Sequence, residues 1–135
     1  MSSKGGDTSH RVLVADDDLV IRRLLTGIIE REGYTAVTAG DGREAYRILQ
    51  NDADFCGAVF DMMMPNLNGL EVIRYMRTEK RLMRIPVMMV TSEQDLKFTA
   101  DSFAAGATVF LPKPFTAAQF QLSFKMLVAK RQVAA

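Results

Sequence analysis

The chain has 135 residues, 48% hydrophobic and 24% charged, which is the composition of one globular domain with a single core. Its 17 basic and 16 acidic residues leave a net charge of +1, so no basic face for nucleic acid is indicated, and no apolar stretch is long enough to span a membrane. The one cysteine, Cys56, excludes an internal disulfide and is typical of a reducing compartment, so we expect a cytoplasmic protein.

The start of the chain is polar, contains two adjacent glycines and lacks the apolar segment of a signal peptide. We predict a disordered leader over residues 1–10, one folded domain over 11–131 and a short tail over 132–135. The only histidine, His10, falls at the end of the leader, where a solvated side chain is expected rather than a catalytic one.

Apolar strand patterns and amphipathic helix patterns alternate five times along the chain. The predicted strands are 11–15, 34–38, 57–60, 86–90 and 108–111, and the predicted helices are 19–32, 42–51, 69–79, 94–104 and a fifth that begins after Thr116. Such alternation is typical of a parallel sheet with helices on both faces. Strand two is short and more polar, as an edge strand should be. With right-handed crossovers this predicts a doubly wound, flavodoxin-like α/β fold with strand order 2-1-3-4-5 and five helices.

Capping signals mark several of the predicted helix ends. Asp18 is expected to cap helix one, while Gly33 and Gly106 are expected to end helices one and four. Pairs of residues at capping-box spacing start helices two, three and five: Asp41 and Glu44, Asn68 and Glu71, and Thr116 and Gln119. Phe115 and Phe120 flank the last of these starts at the spacing of a hydrophobic staple.

Polar side chains follow four of the predicted strands. Asp16 and Asp17 follow strand one, Asp61 follows strand three, Thr91 follows strand four, and Lys113 follows strand five. The carboxyl ends of parallel strands lie at one edge of the sheet, where ligands bind in folds of this class. We therefore expect carboxylates, a hydroxyl and an ammonium to meet in one site.

Clustered carboxylates repel one another, and a hard divalent cation with oxygen ligands resolves that conflict. Asp16, Asp17 and Asp61 are the predicted Mg²⁺ ligands, and the main-chain carbonyl of Met63 is a further candidate. An aspartate can also act as a nucleophile and form an acyl phosphate. Charge from Mg²⁺ and Lys113 would then stabilise the phosphoryl group.

Each of these residues also has a simpler interpretation when it is taken alone. Asp17 could help to cap helix one, Asp61 could be a turn residue, Thr91 could cap helix four, and Lys113 could be a loop lysine. Their coincidence at four strand ends favours a common site.

The chain resembles the receiver domain of two-component response regulators over residues 11–130. The matching motifs, in chain order, are VLVADDD, FDMMMPNLNGLE, VTS and LPKPF. The resemblance implies that Asp61 is the phosphoacceptor, that Asp17 binds Mg²⁺ directly, and that Asp16 binds it through water or as support. It also implies that the carbonyl of Met63 completes the protein ligands.

The resemblance further implies a switch. Thr91 would move toward the phosphoryl group, Lys113 would pair with that group, and the bond between Lys113 and Pro114 would be cis. Phe110 stands at the position of the switch aromatic, where the family often has tyrosine. Helix four, strand five and helix five would repack and meet a downstream protein that the sequence does not identify.

The implied partner on the input side is a histidine kinase or a histidine phosphotransfer protein. The domain would not be an enzyme in its own right, apart from its own phosphorylation and dephosphorylation. A homodimer through the face of helix four, strand five and helix five is also possible for receivers of this type. The pattern fits both a stand-alone receiver and a domain of a longer regulator or hybrid kinase.

Three other classes of protein remain as alternatives. An aspartate-nucleophile phosphatase usually carries a second carboxylate two residues after the nucleophile, where this chain has Met63. A flavin or nucleotide binder would have a loop rich in glycine, serine or threonine after strand one, where this chain has three aspartates. The remaining alternative is a receiver-like interaction domain that is not phosphorylated.

Overall fold

A computed structural model describes residues 9–92 and 96–134, with side chains described over 9–92 and 99–130. Most of the predicted leader and the predicted start of helix four at Gln94 lie outside the described residues. His10 is exposed, and its ring centroid lies 5.6 Å from that of Tyr34.

Strands and helices alternate through the described residues as the sequence predicts. The strands are β1 Arg11–Ala15, β2 Thr35–Ala39, β3 Gly57–Asp61, β4 Val87–Thr91 and β5 Val109–Pro112. The helices are α1 Leu19–Arg31, α2 Gly42–Asn51, α3 Gly69–Arg77, α4 Leu96–Ala105 and α5 Ala117–Ala134. None of these helices is both long enough and apolar enough to cross a membrane.

The five strands form one parallel sheet in the order β2-β1-β3-β4-β5, so the predicted doubly wound fold is confirmed. β2 is an edge strand, as its polarity indicated. The register pairs Ala15 with Phe60, Asp61 with Val90, and Thr91 with Pro112. The carboxyl ends of β1, β3, β4 and β5 are therefore aligned at one edge.

Four strands, β2 to β5, end one residue later than predicted. Asp61, Thr91 and Pro112 belong to β3, β4 and β5, because the ladder of main-chain hydrogen bonds continues past the apolar run. The N–H of Met62 donates to the carbonyl of Val90 at 2.8 Å, next to the end of β3. The site residues at these positions are thus held by the sheet itself rather than by loops.

The other ends also shift slightly. β2 begins at Thr35 because the N–H of Tyr34 still donates to the carbonyl of Ile29 at the end of α1. α3 ends at Arg77 rather than Glu79, because Thr78 and Glu79 form tighter turns.

Most of the predicted caps are confirmed. Asp18 accepts hydrogen bonds from main-chain N–H groups in the first turn of α1. Gly33 and Gly106 have positive φ angles of 93° and 116°, as expected of glycines that end helices. The staple pair Phe115 and Phe120 is in contact, with ring centroids 6.1 Å apart. Two reciprocal capping boxes are present, Asn68 with Glu71 and Thr116 with Gln119.

The third predicted capping box, at the start of α2, is only half right. Asp41 accepts from the N–H of Glu44 at 2.8 Å, but the carboxylate of Glu44 accepts from the N–H of Gly40 at 2.7 Å instead of that of Asp41. The glycine presents its N–H one residue earlier than the motif requires.

Two buried clusters lie on the two faces of the sheet. One packs α1 and α5 against residues such as Val12 and Val14, and the other packs α2 and α3 against Leu13 and Ala15. The alternation along β1 follows from the two-residue repeat of a strand. β3 and β4 are buried at every position, so the centre of the sheet is a rigid support for the edge that carries the polar residues.

The start of α2 approaches the loop before α3 closely. The side-chain amide of Asn66 donates to Asp41 at 3.0 Å. A Cβ atom added to Gly42 would lie 1.7 Å from the carbonyl oxygen of Leu67. Only glycine fits at this position without moving the loop that follows Asp61.

We expect Gly42→Ala to lower the free energy of unfolding by about 1–3 kcal/mol, because the new methyl group would overlap main-chain atoms. Replacing a helical glycine by alanine normally has the opposite sign, with a gain of about 0.5–1 kcal/mol. Urea denaturation of both proteins measures the change. Gly27→Ala in α1, whose Cβ would make an ordinary 3.6 Å contact, is the matched control. Equal stabilisation by both substitutions would contradict the prediction.

Candidate functional site

Three carboxylates meet at the carboxyl edge of the sheet. Asp16 and Asp17 follow the end of β1, and Asp61 ends β3. One oxygen from each lies within 4.8 Å of the others. Asp16 and Asp61 are buried, with 1% and 6% of their surface exposed, while Asp17 is exposed. The structure therefore brings together the three residues that the sequence proposes as metal ligands.

Asp16 is held on several sides. Its Oδ1 accepts from the N–H of Asp18 at 2.9 Å, and its own N–H donates to the carbonyl of Ala39 at 3.2 Å. Its carbonyl accepts from the guanidinium of Arg22 at 2.8 Å. The remaining carboxylate oxygen is directed toward Lys113.

Lys113 lies between the two buried carboxylates. Its Nζ is 3.4 Å from Oδ2 of Asp16 and 3.4 Å from Oδ2 of Asp61. Both distances are longer than the 2.7–2.9 Å of a strong charge-assisted hydrogen bond. Its main-chain N–H donates to the carbonyl of Thr91 at 2.6 Å, and the bond from Lys113 to Pro114 is cis.

The surroundings of Asp61 disfavour the ionised form of its carboxyl group. Burial, and then the carboxylate of Asp16, raise the pKa of Asp61 from 3.8 to about 6, and Lys113 only partly opposes them. Burial also raises the pKa of Asp16, against hydrogen bonds from Asp18 and the charge of Lys113. One ammonium does not balance three carboxylates, so the site favours a further cation.

The donor set fits Mg²⁺. All of the side-chain donors are carboxylate oxygens, and one oxygen from each of Asp16, Asp17 and Asp61 converges on a small region. Hard oxygen donors in this number, with room for water, are the ligands that Mg²⁺ prefers. The contribution of the Met63 carbonyl stays a prediction.

The loop after Asp61 places three methionines differently. Met62 and Met64 are buried, while Met63 is 57% exposed. The N–H of Met63 donates to Oδ1 of Asp61 at 3.4 Å, a long contact. Met63 is therefore an exposed apolar residue two positions after Asp61.

The two predicted switch residues lie on neighbouring strands. Thr91 ends β4 and is fully buried. Phe110 lies in β5, is half-buried, and has its ring centroid 6.5 Å from that of Phe103 in α4. Phe110 is thus in contact with the last turn of α4.

Sequence reasoning missed two supporting residues. The sequence places Arg22 in helix one, and no local pattern marks its hydrogen bond to the carbonyl of Asp16. The sequence places Gly69 at the start of helix three, and in the structure a Cβ there would lie 2.6 Å from the carbonyl oxygen of Asp61. The sequence signal that could have identified Gly69 is its position directly after the capping residue Asn68, eight residues beyond Asp61.

Known proteins match the chain over most of its length. The family model for the response regulator receiver domain matches residues 12–125. The transcriptional regulatory protein SrrA of Staphylococcus aureus is 31% identical over 124 residues, which cover 92% of this chain and 50% of SrrA. The chain spans about half the length of the curated relatives it matches.

Two solved structures share the fold. The chemotaxis response regulator CheY4 of Vibrio cholerae superposes with a TM-score of 0.82 at 30% identity, over 89% of this chain and 99% of that chain. The receiver domain of the sensor histidine kinase PA1611 of Pseudomonas aeruginosa, which carries a magnesium ion in its active-site cleft, gives a TM-score of 0.79 at 21% identity, over 90% of this chain and 99% of that chain. At that identity the second likeness shows the fold alone.

The sequence motifs, the strand order and the family match agree with one another. The predicted resemblance is confirmed, and the chain belongs to the response regulator receiver domain family of two-component systems.

Proposed function

We propose that this domain is a phosphorylation-dependent switch of a two-component phosphorelay. Asp61 would accept a phosphoryl group, in a Mg²⁺-dependent reaction, from a histidine kinase or a histidine phosphotransfer protein. The observation that carries the proposal is the position of the Lys113 ammonium, 3.4 Å from Oδ2 of both Asp61 and Asp16, in a buried cluster of three carboxylates.

The chemistry follows from the charge of Asp61. An ionised oxygen of Asp61 attacks the phosphorus, the bond from phosphorus to the donor histidine nitrogen breaks, and that nitrogen takes up a proton from solvent. With a pKa of about 6, Asp61 is mostly ionised at neutral pH. Lys113 then stabilises the phosphoryl oxygens, and the hydroxyl of Thr91 is the proposed hydrogen-bond donor.

Asp16, Asp17 and Asp61 would hold the Mg²⁺ ion, with the Met63 carbonyl as a further ligand. When bound, the ion supplies positive charge to the carboxylates and to the phosphoryl oxygens. The magnesium ion described in the PA1611 receiver domain supports this choice of metal.

The output surface would be the face formed by α4, β5 and α5. Phosphorylation would replace the single negative charge of Asp61 by about two at one end of this face, and Thr91 and Phe110 would repack in response. Phe103 on α4 and Leu122 and Met126 on α5 are exposed apolar residues suited to a protein partner. We propose an unidentified downstream protein there, a homodimer through the same face, and no direct contact with nucleic acid or membrane.

The domain would act in the cytoplasm as a signalling module and not as an enzyme on other substrates. Its only chemistry would be its own phosphorylation and dephosphorylation at Asp61.

Incubation with Mg²⁺ and acetyl phosphate should add one phosphoryl group to the wild-type protein, seen by intact mass. The adduct should require Mg²⁺ and should be absent from Asp61→Asn. Asp54→Asn, which changes an exposed aspartate outside the site, should retain it. A wild-type protein that takes no phosphoryl group, from acetyl phosphate or from a phosphorylated histidine phosphotransfer protein, would favour the unphosphorylated interaction domain instead.

Asp61→Asn should stabilise the metal-free protein at neutral pH. The folded-state pKa of Asp61 is raised from 3.8 to about 6, so its charge opposes folding. The penalty is absent below about pH 4, grows between about pH 4 and 6, and is complete above, where it reaches at most about 3 kcal/mol. Urea denaturation of both proteins near these two limits measures the difference. A gain that is the same at both limits would show that the charge is not its cause.

Protons should compete with Mg²⁺ for the same carboxylates. Because Asp61 must be ionised to bind the ion, we expect the apparent Mg²⁺ affinity to fall as the pH drops below about 6, by about tenfold per unit for one proton. Calorimetric titration at several pH values measures this slope. Asp61→Asn, which binds no proton at this position, should bind Mg²⁺ more weakly with a shallower slope. An unchanged slope would place the ion elsewhere.

A further inference from the structure

Arg77, the last residue of α3, connects three separate segments of the chain. Its Nη1 donates to the carbonyls of Met83 and Ile85 at 2.9 and 3.0 Å, and its Nη2 donates to the carbonyl of Gly106 at 2.7 Å. The first two carbonyls belong to the loop before β4, and the third belongs to the turn between α4 and β5. One side chain thus ties α3 to both.

The guanidinium of Arg77 is half-buried and bonded to neutral groups. Burial lowers the pKa of Arg77, and an arginine stays charged in proteins. Over residues 9–92 and 99–130, none of the ion pairs involves Arg77. The planar fork of donors, rather than a charge pair, explains its place: three carbonyls converge on it, and a lysine could not reach them with the same geometry.

The turn that ends α4 is built against this side chain. Gly106 has φ of 116°, and a Cβ there would lie 2.5 Å from Nε of Arg77. The N–H of Gly106 donates to the carbonyls of Ser102 and Phe103 at 3.2 and 3.0 Å, which closes the last turn of α4. The last turn, the glycine and the guanidinium therefore form one packed unit.

This unit lies next to an aromatic pair of the proposed output face. Phe103 lies in the last turn of α4, and its ring is 6.5 Å from that of Phe110 in β5. Just after the turn, the N–H of Thr108 donates to the carbonyl of Val87 in β4 at 2.8 Å. Phe103 and Phe110 are thus both within a few residues of Gly106, whose carbonyl accepts a hydrogen bond from Arg77.

We propose that Arg77 is a positioning residue that fixes the C-terminal end of α4 and the start of β5. With that end fixed, a change at Asp61 and Thr91 moves α4 about its C-terminal end. The last turn of α4 does not unwind. The switching part of this inference rests on the proposed function. The clamp formed by Arg77 and the carbonyl of Gly106 does not.

Arg77→Met tests the clamp, with Arg81→Met as the matched control. Arg81 also bonds to main-chain carbonyls, those of Leu49 and Gln50, and to the hydroxyl of Tyr75, but it joins α2 to α3 and does not touch Gly106. Amide hydrogen exchange of peptides over residues 102–110 is measured before and after phosphorylation with acetyl phosphate and Mg²⁺. Intact mass shows that the adduct forms.

Before phosphorylation, Arg77→Met should speed exchange over residues 102–110 by about tenfold or more, while Arg81→Met should leave it as in the wild type. After phosphorylation, the change in exchange over this segment seen in the wild type should be lost in Arg77→Met, although the adduct still forms. A purely structural role would not remove that dependence on phosphorylation.

Equal exchange over residues 102–110 in the two variants would overturn the clamp. Faster exchange that still responds to phosphorylation as in the wild type would overturn the positioning role. If the wild type takes no phosphoryl group, the proposed function fails, and the two unmodified variants still decide the clamp. Should Arg77→Met not fold, Arg77→Lys, which keeps the charge without the fork, should show the same local increase.

Discussion

The repulsion between two buried carboxylates, Asp16 and Asp61, is the constraint around which the site is organised. The parallel sheet delivers both to one edge, and burial raises the pKa of each. Isolated ionised groups in such surroundings would protonate or be lost to better-packed residues. Two buried carboxylates beside one ammonium suit a site that binds a further cation, because the cation would relieve the unfavourable burial of their charges and bind more tightly as a result.

The rest of the fold offsets this cost. β3 and β4 are buried throughout, two apolar clusters cover the two faces of the sheet, and the strand ladder extends to Asp61 and Thr91. The close approaches at Gly42 and Gly69 hold the loop after Asp61 against α2 and the start of α3 against β3. A site with unbalanced charge therefore rests on a support that cannot easily relax away from it, which is the condition for a switch that responds to charge.

The sequence predicted what local signals encode: five strands, their order, most helix caps and the residues at the strand ends. It could not predict contacts that depend on how distant elements pack. The ladder bond that places Asp61 inside β3 comes from β4, the acceptor for the N–H of Gly40 is a side chain in the next helix, and Arg77 and Gly106 are 29 residues apart. The spacing of apolar residues in helix one predicts only that Arg22 lies on the surface of that helix. Its hydrogen bond to the carbonyl of Asp16 depends on how α1 packs beside the end of β1.

Charge explains why one lysine and one divalent cation suit this site together. Three carboxylates and one ammonium leave two unbalanced negative charges, which a single divalent cation matches. In the proposed function, a phosphoryl group would replace the single charge of Asp61 by about two. With the cation bound, the phosphorylated site would be less unbalanced than the empty one, and the new charge would lie on oxygens beyond the carboxylate, where Lys113 and Thr91 are the proposed partners. The attraction of those two groups to the new oxygens would act at the carboxyl ends of β4 and β5, whereas the end of α4 that Arg77 holds lies before the start of β5.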